Sequence, residues 1–566
     1  MKNQELAEIF YKIADILELQ NVEWKPQAYR KAARSLESLS EPIEEIYHKD
    51  GLKGLDDLPG IGKSIAEKIE EYIKTGKIRE YEKLKKYAPK GFEDLMNISG
   101  LGPKKIRKLY KKLNIKNVKD LQSAIKGKKL EKLFGFGEKT EEKLSEGIEL
   151  FKKRKSRFLL GDIYLIAQSL VSQIKNIKYV ERTEVAGSLR RMQETIGDID
   201  ILVITKKPKE VVDKIVKLDE VKEIIAKGPT KASVLLKNNT QCDIRVIPES
   251  SYGSALMYFT GNKDHNISLR KLAIKKGYKL SEYGLFKDSE VIASKTENDI
   301  YKKLNFPYIE PELRNNDGEL TEKLPKLISY NDIKGDLHVH TNYSDGFNTI
   351  KDMVLAAKKL NYEYVAITDH SKTRAIAHGL DDNILLKQIN EIKKIQSQVK
   401  GIKILTGMEI DIKANGDVDL SDSMLKKIDI PIVSIHSSFN MNKSEMTSRI
   451  IKALSHENVK IFGHPTARLI NQRNPINIDF PRLFKFCADN NKFLEINSQP
   501  SRLDLNDIHI REALKYKVKF VINTDSHSID SLNYMKYGIA QARRGWCTKN
   551  SVVNTLSLKE FLNKIK

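Results

Sequence analysis

Residues 185–204 read VAGSLRRMQETIGDIDILVI, and the rest of the chain can be understood outward from them. Asp198 and Asp200 stand two positions apart at the head of an apolar run, so on a strand both side chains leave the same face. Like charges held that close are costly without cations between them. Asp243 opens a second apolar run, CDIRVI at 242–247. Three carboxylates converging on one sheet edge suit two Mg2+ ions about 3.5–4 Å apart, an arrangement made for in-line phosphoryl transfer. Ahead of the pair, Gly187 and Ser188 open a helix that carries Arg190 and Arg191. A glycine turn at a helix start, with a hydroxyl and arginines, makes a cradle for a triphosphate.

Further strand-like runs occur at 184–187 (EVAG), 199–204 (IDILVI) and 233–236 (SVLL), with helical sequence between them, so residues 151–315 are expected to be mixed α/β. The stretch 312–332 is polar, contains Gly318 and Pro325, and reads as a linker. Beyond it strand and helix alternate. Seven short apolar strands are expected at 335–341, 364–370, 403–410, 430–437, 459–464, 492–497 and 518–525, the pattern of a parallel β/α barrel with seven units. Nine of the eleven histidines fall after residue 337, which points to a metal domain there. His338, His340, Asp345, His370, Glu409, His436, His464, Asp525 and His527 sit at or just past strand ends. Barrel enzymes build their sites on that face, and mixed imidazole and carboxylate ligands suit two or three Zn2+, Mn2+ or Fe2+ ions, with Glu409 placed to bridge. A metal-activated water would then attack a phosphodiester. His378, His456 and His509 fall outside the pattern, while Arg374 and Arg468 are candidates to contact substrate phosphate.

Toward the N-terminus, Leu6, Ile9, Phe10, Ile13, Ile16 and Leu17 recur at helical spacing, and residues 1–150 are expected to be helical. One pattern appears there three times, as LPGIGKS (58–64), ISGLGPK (98–104) and LFGFGEK (133–139). The glycine pairs Gly60/Gly62, Gly100/Gly102 and Gly135/Gly137 allow tight turns, and each following helix offers free N–H groups to a phosphate. The pattern resembles the helix-hairpin-helix motif, which grips the sugar-phosphate backbone of DNA without reading sequence. Residues 101–160 hold 19 Lys/Arg against 7 Asp/Glu, and the whole chain 99 against 76, a net of +23. That excess suits a polyanion, although a solvated lysine-rich face would look the same. At 566 residues, three or four domains are expected. No apolar run approaches the ~18–20 residues of a membrane span. The first twenty residues mix acids with apolar positions, unlike a secretory signal. Three scattered cysteines make no disulfide framework, so a reducing cytoplasm is expected.

Residues 252–270, YGSALMYFTGNKDHNISLR, complete a wider pattern. With the GS…DxD cluster, Asp243, the Tyr-Phe-Thr-Gly run at 258–261, Asn266 and Arg270, the chain resembles the family X DNA polymerases over about residues 1–315. The resemblance implies nucleotidyl transfer from a dNTP to a primer 3′-OH on gapped or primed duplex DNA. By position, Asp198 and Asp200 would bind both metals, and Asp243 the catalytic one. Gly187, Ser188, Arg191, Gly197 and Arg157 would hold the triphosphate. Tyr258, Phe259 and Gly261 would wall the sugar, Asn266 would meet the base edge and Arg270 the template. Lys68 falls where some members form a Schiff base with an abasic-site sugar, chemistry that needs a desolvated amine near other cations. Gln241-Cys242 stand where animal members have a basic residue, and Thr240-Gln241-Cys242-Asp243 with Asn262-Lys263-Asp264-His265-Asn266 resemble the bacterial and archaeal branch. The nine-ligand barrel is similar to the PHP (polymerase and histidinol phosphatase) domain.

The expected architecture is a helical DNA-binding and lyase domain (1–80), helix-hairpin-helix fingers (81–150), an α/β nucleotidyltransferase palm (151–248), a thumb (249–315), the linker (316–332) and a distorted TIM-like (β/α)7 PHP barrel (333–566). The expected function is short-gap filling in base excision repair, with a 3′–5′ exonuclease in the barrel and lyase or abasic-site endonuclease activity left open. The rivals are a non-catalytic DNA-binding scaffold and a small-molecule phosphatase with an appended DNA-binding half. A cytoplasmic monomer without membrane association is expected.

Overall fold

A computed structural model of the chain describes residues 2–38, 43–58, 60–96, 98, 101–130, 133, 136, 140–141, 144–145, 147–148, 157–373 and 377–565. The N-terminal part is helical, as its periodicity predicts. Helix Lys63–Thr75 is typical. Gly62 caps its start in extended conformation, Ile65, Ala66, Ile69 and Tyr72 bury one face at three- and four-residue spacing, and Gly76 at φ +71° ends it. The boundary expected at residue 80 runs through one continuous apolar core, from Leu6 and Phe10 through Ile69 to Ile106, Leu109 and Leu121.

The palm is a five-stranded sheet in the order Val180–Val185, Asp198–Thr205, Gln241–Ile247, Lys231–Leu236, Val221–Lys227. Ile199, Ile201 and Val203 point to one face, where helices Leu160–Lys175 and Pro208–Ile215 pack on them. Period-two alternation therefore sends Asp198 and Asp200 to the other face. The run expected at 184–187 is displaced: the strand stops at Val185, and Gly187–Arg190 is a short helix. Val221–Lys227 was not foreseen; nearly all its residues are exposed, so no apolar alternation marks it. The thumb comes next, with helices Tyr252–Thr260, Lys263–Lys275 and Glu297–Lys303 around a three-stranded meander.

The polar segment 316–332 has little regular structure, yet it is not a loose tether. Glu319 is buried against His265 (2.6 Å) and accepts from the backbone N–H groups of Asn316 and Asp317, and Ile328 N–H bonds Cys547 O at 2.9 Å. Its polar residues serve internal hydrogen bonds rather than solvent.

Seven parallel strands then run in sequence order, Gly335–Asp336, Tyr364–Ile367, Lys403–Asp411, Ile430–Ser434, Ile461–Phe462, Phe493–Asn497 and Lys519–Asn523. Between the first and last, the single bridge Val339 to Ser526 nearly closes the ring. One end of the barrel interior is filled by Leu337, Leu405, Ile432 and Phe493 and plugged by Phe561, whose ring stacks on Tyr364 at 4.7 Å. The first strand is shorter than expected because Asp336 accepts from the N–H groups of both His338 and Thr524, bending the chain that carries the histidines.

The barrel is fused to the palm. Leu503, Tyr537 and Ala540 belong to the palm core, and Gly161 packs on Pro500 so closely that a Cβ there would overlap the proline ring. Arg468 of the barrel donates to Glu194 of the palm at 2.6 Å, Gln541 donates to the same oxygen at 2.7 Å, and Asn471 donates to Arg157 O at 2.7 Å.

Candidate active sites

In the palm the parallel register pairs Asp200 directly with Asp243, and Asp198 lies one pleat away on the same face. Asp198 is exposed at the cleft, and Asp200 and Asp243 are half-buried. Burial, then the charges of Asp198 and Asp243, push Asp200 up to about 7; Asp198, although its side chain reaches solvent, is also raised, first by the partial loss of water around it in the cleft and then by Asp243. Such a trio is short of positive charge, as a cation site should be. Ser233 Oγ and, at 3.4 Å, Gln241 Nε2 donate to Asp243 and fix its carboxylate.

Gly187 touches Asp200 itself. Its φ is +62°, and a Cβ there would overlap the Asp200 carboxylate. The short helix it opens presents Ser188 Oγ, and the residue that ends it presents Arg191 Nε, both buried without a hydrogen-bond partner. Burial and the neighbouring Arg544 push Arg191 down to about 10, so an anion at this point would be stabilised. Arg157 donates to Thr195 Oγ1 at 2.8 Å and lies against Gly197. Arg191 also donates to Thr260 O, which ties the segment after Gly187 to Gly261 (φ +68°). Tyr258 and Phe259 sit edge to face, with centroids 5.1 Å apart. Asn266 donates to Tyr258 O at 2.7 Å, and Arg270 lines the same small cleft. Arg190 is the exception: it turns away to a bidentate pair with Glu297 (2.8 and 2.7 Å) and to Thr260 Oγ1, joining palm to thumb rather than facing the cradle.

In the barrel all nine expected ligands converge. The tightest groups of ligand atoms are His340, Asp345, His370 and His527; His338, His340 and Asp525; and His370, Glu409 and His436. Glu409 is central: Oε2 lies 2.9 Å from His370, 3.4 Å from His338 and 3.6 Å from His340, and Oε1 lies 2.8 Å from His464 and 3.3 Å from His436. His338 Nε2, both ring nitrogens of His340 and His464 Nδ1 are buried without hydrogen-bond partners. Buried imidazole nitrogens are normally satisfied, and so many orphans around carboxylates fit divalent cations. Burial, with His527 and His370, pushes His340 down to about 3, which keeps it a neutral donor.

A supporting layer escaped the sequence reading. Glu495 accepts from His338 Nδ1 (2.7 Å), His464 N–H (2.6 Å), Asn523 (2.9 Å) and Asn497 (3.0 Å). Asp411 accepts from His436 Nδ1, and Asp369 holds Thr341 N–H (2.8 Å) and Gln388 (2.6 Å), fixing the loop that carries Asp345. Asp411 lies two residues past the ligand Glu409 on the same strand, and Glu495 is the buried acid of strand Phe493–Asn497, which supplies no ligand; those placements were the available signal. Arg468, expected near substrate phosphate, is instead tied to Glu194 and to Leu503 O. Arg374 lies outside the described residues, as do Gly100, Gly135 and Gly137. His509 stacks on Phe480 at 3.8 Å, away from the site.

In the helical part, Gly60 (φ +83°) makes the first hairpin turn, and Gly62 and Gly102 cap helices Lys63–Thr75 and Pro103–Leu113. Lys68 does not sit in the cationic setting expected of it: its Nζ is 3.2 Å from Glu80 and 3.1 Å from Ser64 O, 6.0 Å from the Tyr29 ring centroid.

Comparison with known proteins supplies an independent view. The chain matches a helix-hairpin-helix domain over residues 1–78, a SAM-like helix-hairpin-helix tandem over 92–149, the DNA polymerase beta thumb over 255–315 and the PHP domain over 336–499. It is 37% identical to the DNA polymerase/3′-5′ exonuclease PolX of Bacillus subtilis (strain 168), across 99% of this chain and 98% of that protein. A probable phosphatase of Thermoanaerobacter sp. (strain X514) is 28% identical across 41% of this chain and 95% of its own length. DNA polymerase lambda of Rattus norvegicus is 24% identical across 55% of this chain and 56% of its own.

Proposed function

The chain belongs to the PolX family of DNA polymerase/3′-5′ exonucleases, and from that premise we propose that it extends DNA primers in its palm and hydrolyses phosphodiesters at DNA 3′ ends in its barrel. The observation that carries the polymerase reading is the acidic trio Asp198, Asp200 and Asp243 beside a cradle whose Ser188 Oγ and Arg191 Nε have no partner. Ser188, Arg191, Arg157 and the glycine backbone at Gly187 and Gly197 bind the triphosphate of a dNTP. Tyr258, Phe259 and Gly261 shape the sugar pocket, and Asn266 and Arg270 face the base pair and template. Two Mg2+ ions held by the trio would screen the phosphates and acidify the attacking 3′-OH. In the barrel the nine ligands would hold two or three Mn2+, Zn2+ or Fe2+ ions, which when bound would supply an activated water. Glu495, Asp411 and Asp369 orient those ligands.

The partners are gapped or primed duplex DNA, gripped by the hairpin turns at Gly60/Gly62 and Gly102, and dNTPs; the setting is short-gap repair, by a cytoplasmic monomer. Among the described residues no helix is long and apolar enough to cross a membrane. Lyase chemistry is not part of the proposal, because Lys68 is engaged by Glu80. The test is a one-nucleotide-gapped duplex offered with dNTPs and Mg2+ or Mn2+. Asp198→Ala/Asp200→Ala should abolish extension and leave Mn2+-dependent 3′ degradation, and His340→Ala should do the reverse. Loss of both activities in either variant would refute two separate sites.

A further inference from the structure

The barrel mouth contains a cation that the ligand set does not use. Arg502 lies in the loop after strand Phe493–Asn497, and its Nε is 3.6 Å from Oδ2 of Asp525. Its side chain is only 16% exposed, and Nη1 is buried with no hydrogen-bond partner. A guanidinium has donors and no lone pair, so Arg502 cannot be a metal ligand. Nor does Asp525 depend on it. The 3.6 Å separation is beyond hydrogen-bond reach, and Asn497 Nδ2 already donates to the same Oδ2 at 3.0 Å.

The backbone that presents Arg502 is fixed from both sides. Its N–H bonds Gln499 O at 2.8 Å, and its carbonyl accepts from Arg468 Nε at 2.8 Å. Arg468 is anchored on Glu194 of the palm, and the next residue, Leu503, is buried in the palm core. A buried guanidinium with an unused donor, held rigidly beside a cluster of metal ligands, matches an anionic tetrahedral oxyacid.

Building on the phosphoesterase reading of the barrel, we propose that Arg502 is a catalytic residue that binds the phosphate there: its free donor takes a non-bridging oxygen of the scissile phosphodiester and of the nucleoside 5′-monophosphate released. Water adds to phosphorus and gives up a proton, the bond to the 3′ oxygen of the preceding nucleotide breaks, and that oxygen takes up a proton from solvent and leaves as the new 3′-OH. Arg502 contributes by stabilising the charge on the oxygen it holds, and it exchanges no proton.

The experiment uses the full chain in the Asp198→Ala/Asp200→Ala background, so that the palm does not compete, loaded with Mn2+. Arg502→Gln and Arg502→Lys are compared with Arg502 for bound metal, single-turnover hydrolysis of a 3′ end, and calorimetric binding of dTMP. The expected result is unchanged metal content, a loss of about 10²–10³-fold in hydrolysis for Gln, a smaller loss for Lys, and weakened dTMP binding in parallel. Hydrolysis and dTMP binding within about twofold of the Arg502 parent would overturn the proposal, and so would losses that simply track lost metal. If the parent hydrolyses nothing while holding its metal, the phosphoesterase reading fails, and dTMP binding alone still decides whether Arg502 holds phosphate.

Discussion

Asp200 shows how much of a site can be read from two-residue spacing, and where that reading stops. Its pairing with Asp198 on one face follows from strand geometry alone. Its contact with Gly187 and its register with Asp243 do not, since they join parts of the chain that only the sheet brings together. The same limit hid Arg502, Glu495 and Asp411, because periodicity tells which residues face the barrel mouth but not which will touch metal, histidine or phosphate. Asp200 also has a pH signature. Its folded-state value is raised to about 7 from an ordinary 3.8, so the stability tied to its proton is full below pH 4 and is lost as pH rises through 7. In chelator, Asp200→Asn should therefore gain on the parent protein as pH climbs from 4 to 8, by up to roughly 4 kcal/mol. Thermal midpoints across that range would show it, and a constant difference would refute it.

The barrel strands were legible as elements because parallel strands covered on both faces read as short apolar runs; six of the seven expected runs contain their strand, and the third strand runs one residue past its expected end, to Asp411. The exposed strand Val221–Lys227 carries no such mark. Strand ends were harder. Ile461–Phe462 is two residues long where six were expected, because the chain turns directly after it to place His464 at φ +25°. The ends are also where the supporting carboxylates act. Glu495 fixes His338 through Nδ1, leaving Nε2 toward Glu409, and it holds the backbone of His464. Replacing Glu495 with Gln should weaken metal binding about 10–100-fold, as loss of an outer carboxylate partner does elsewhere. Competition with a chelating dye would measure it, and an unchanged affinity would show that the carboxylate only packs.

At the scale of the whole molecule, composition foretold several domains but not how they join. Glu194 and Arg468 are 274 residues apart, and nothing local in either segment announces the pair. Both side chains are largely buried, at 20% and 11% exposure, so removing one partner leaves the other desolvated and alone. Arg468→Ala should cost up to about 3–5 kcal/mol, moderated by Gln541, which still donates to Glu194. In scanning calorimetry the palm and barrel of the parent should unfold together, and in Arg468→Ala as two resolved steps; a single step in the variant would refute the coupling. The tight seat of Gly161 on Pro500 carries a consequence for traffic on DNA. With synthesis and excision bolted to one frame, no swinging arm can ferry a strand terminus from one station to the other. The nucleic acid has to make the journey, so the balance between trimming and growth should depend on how readily an end frays from its complement.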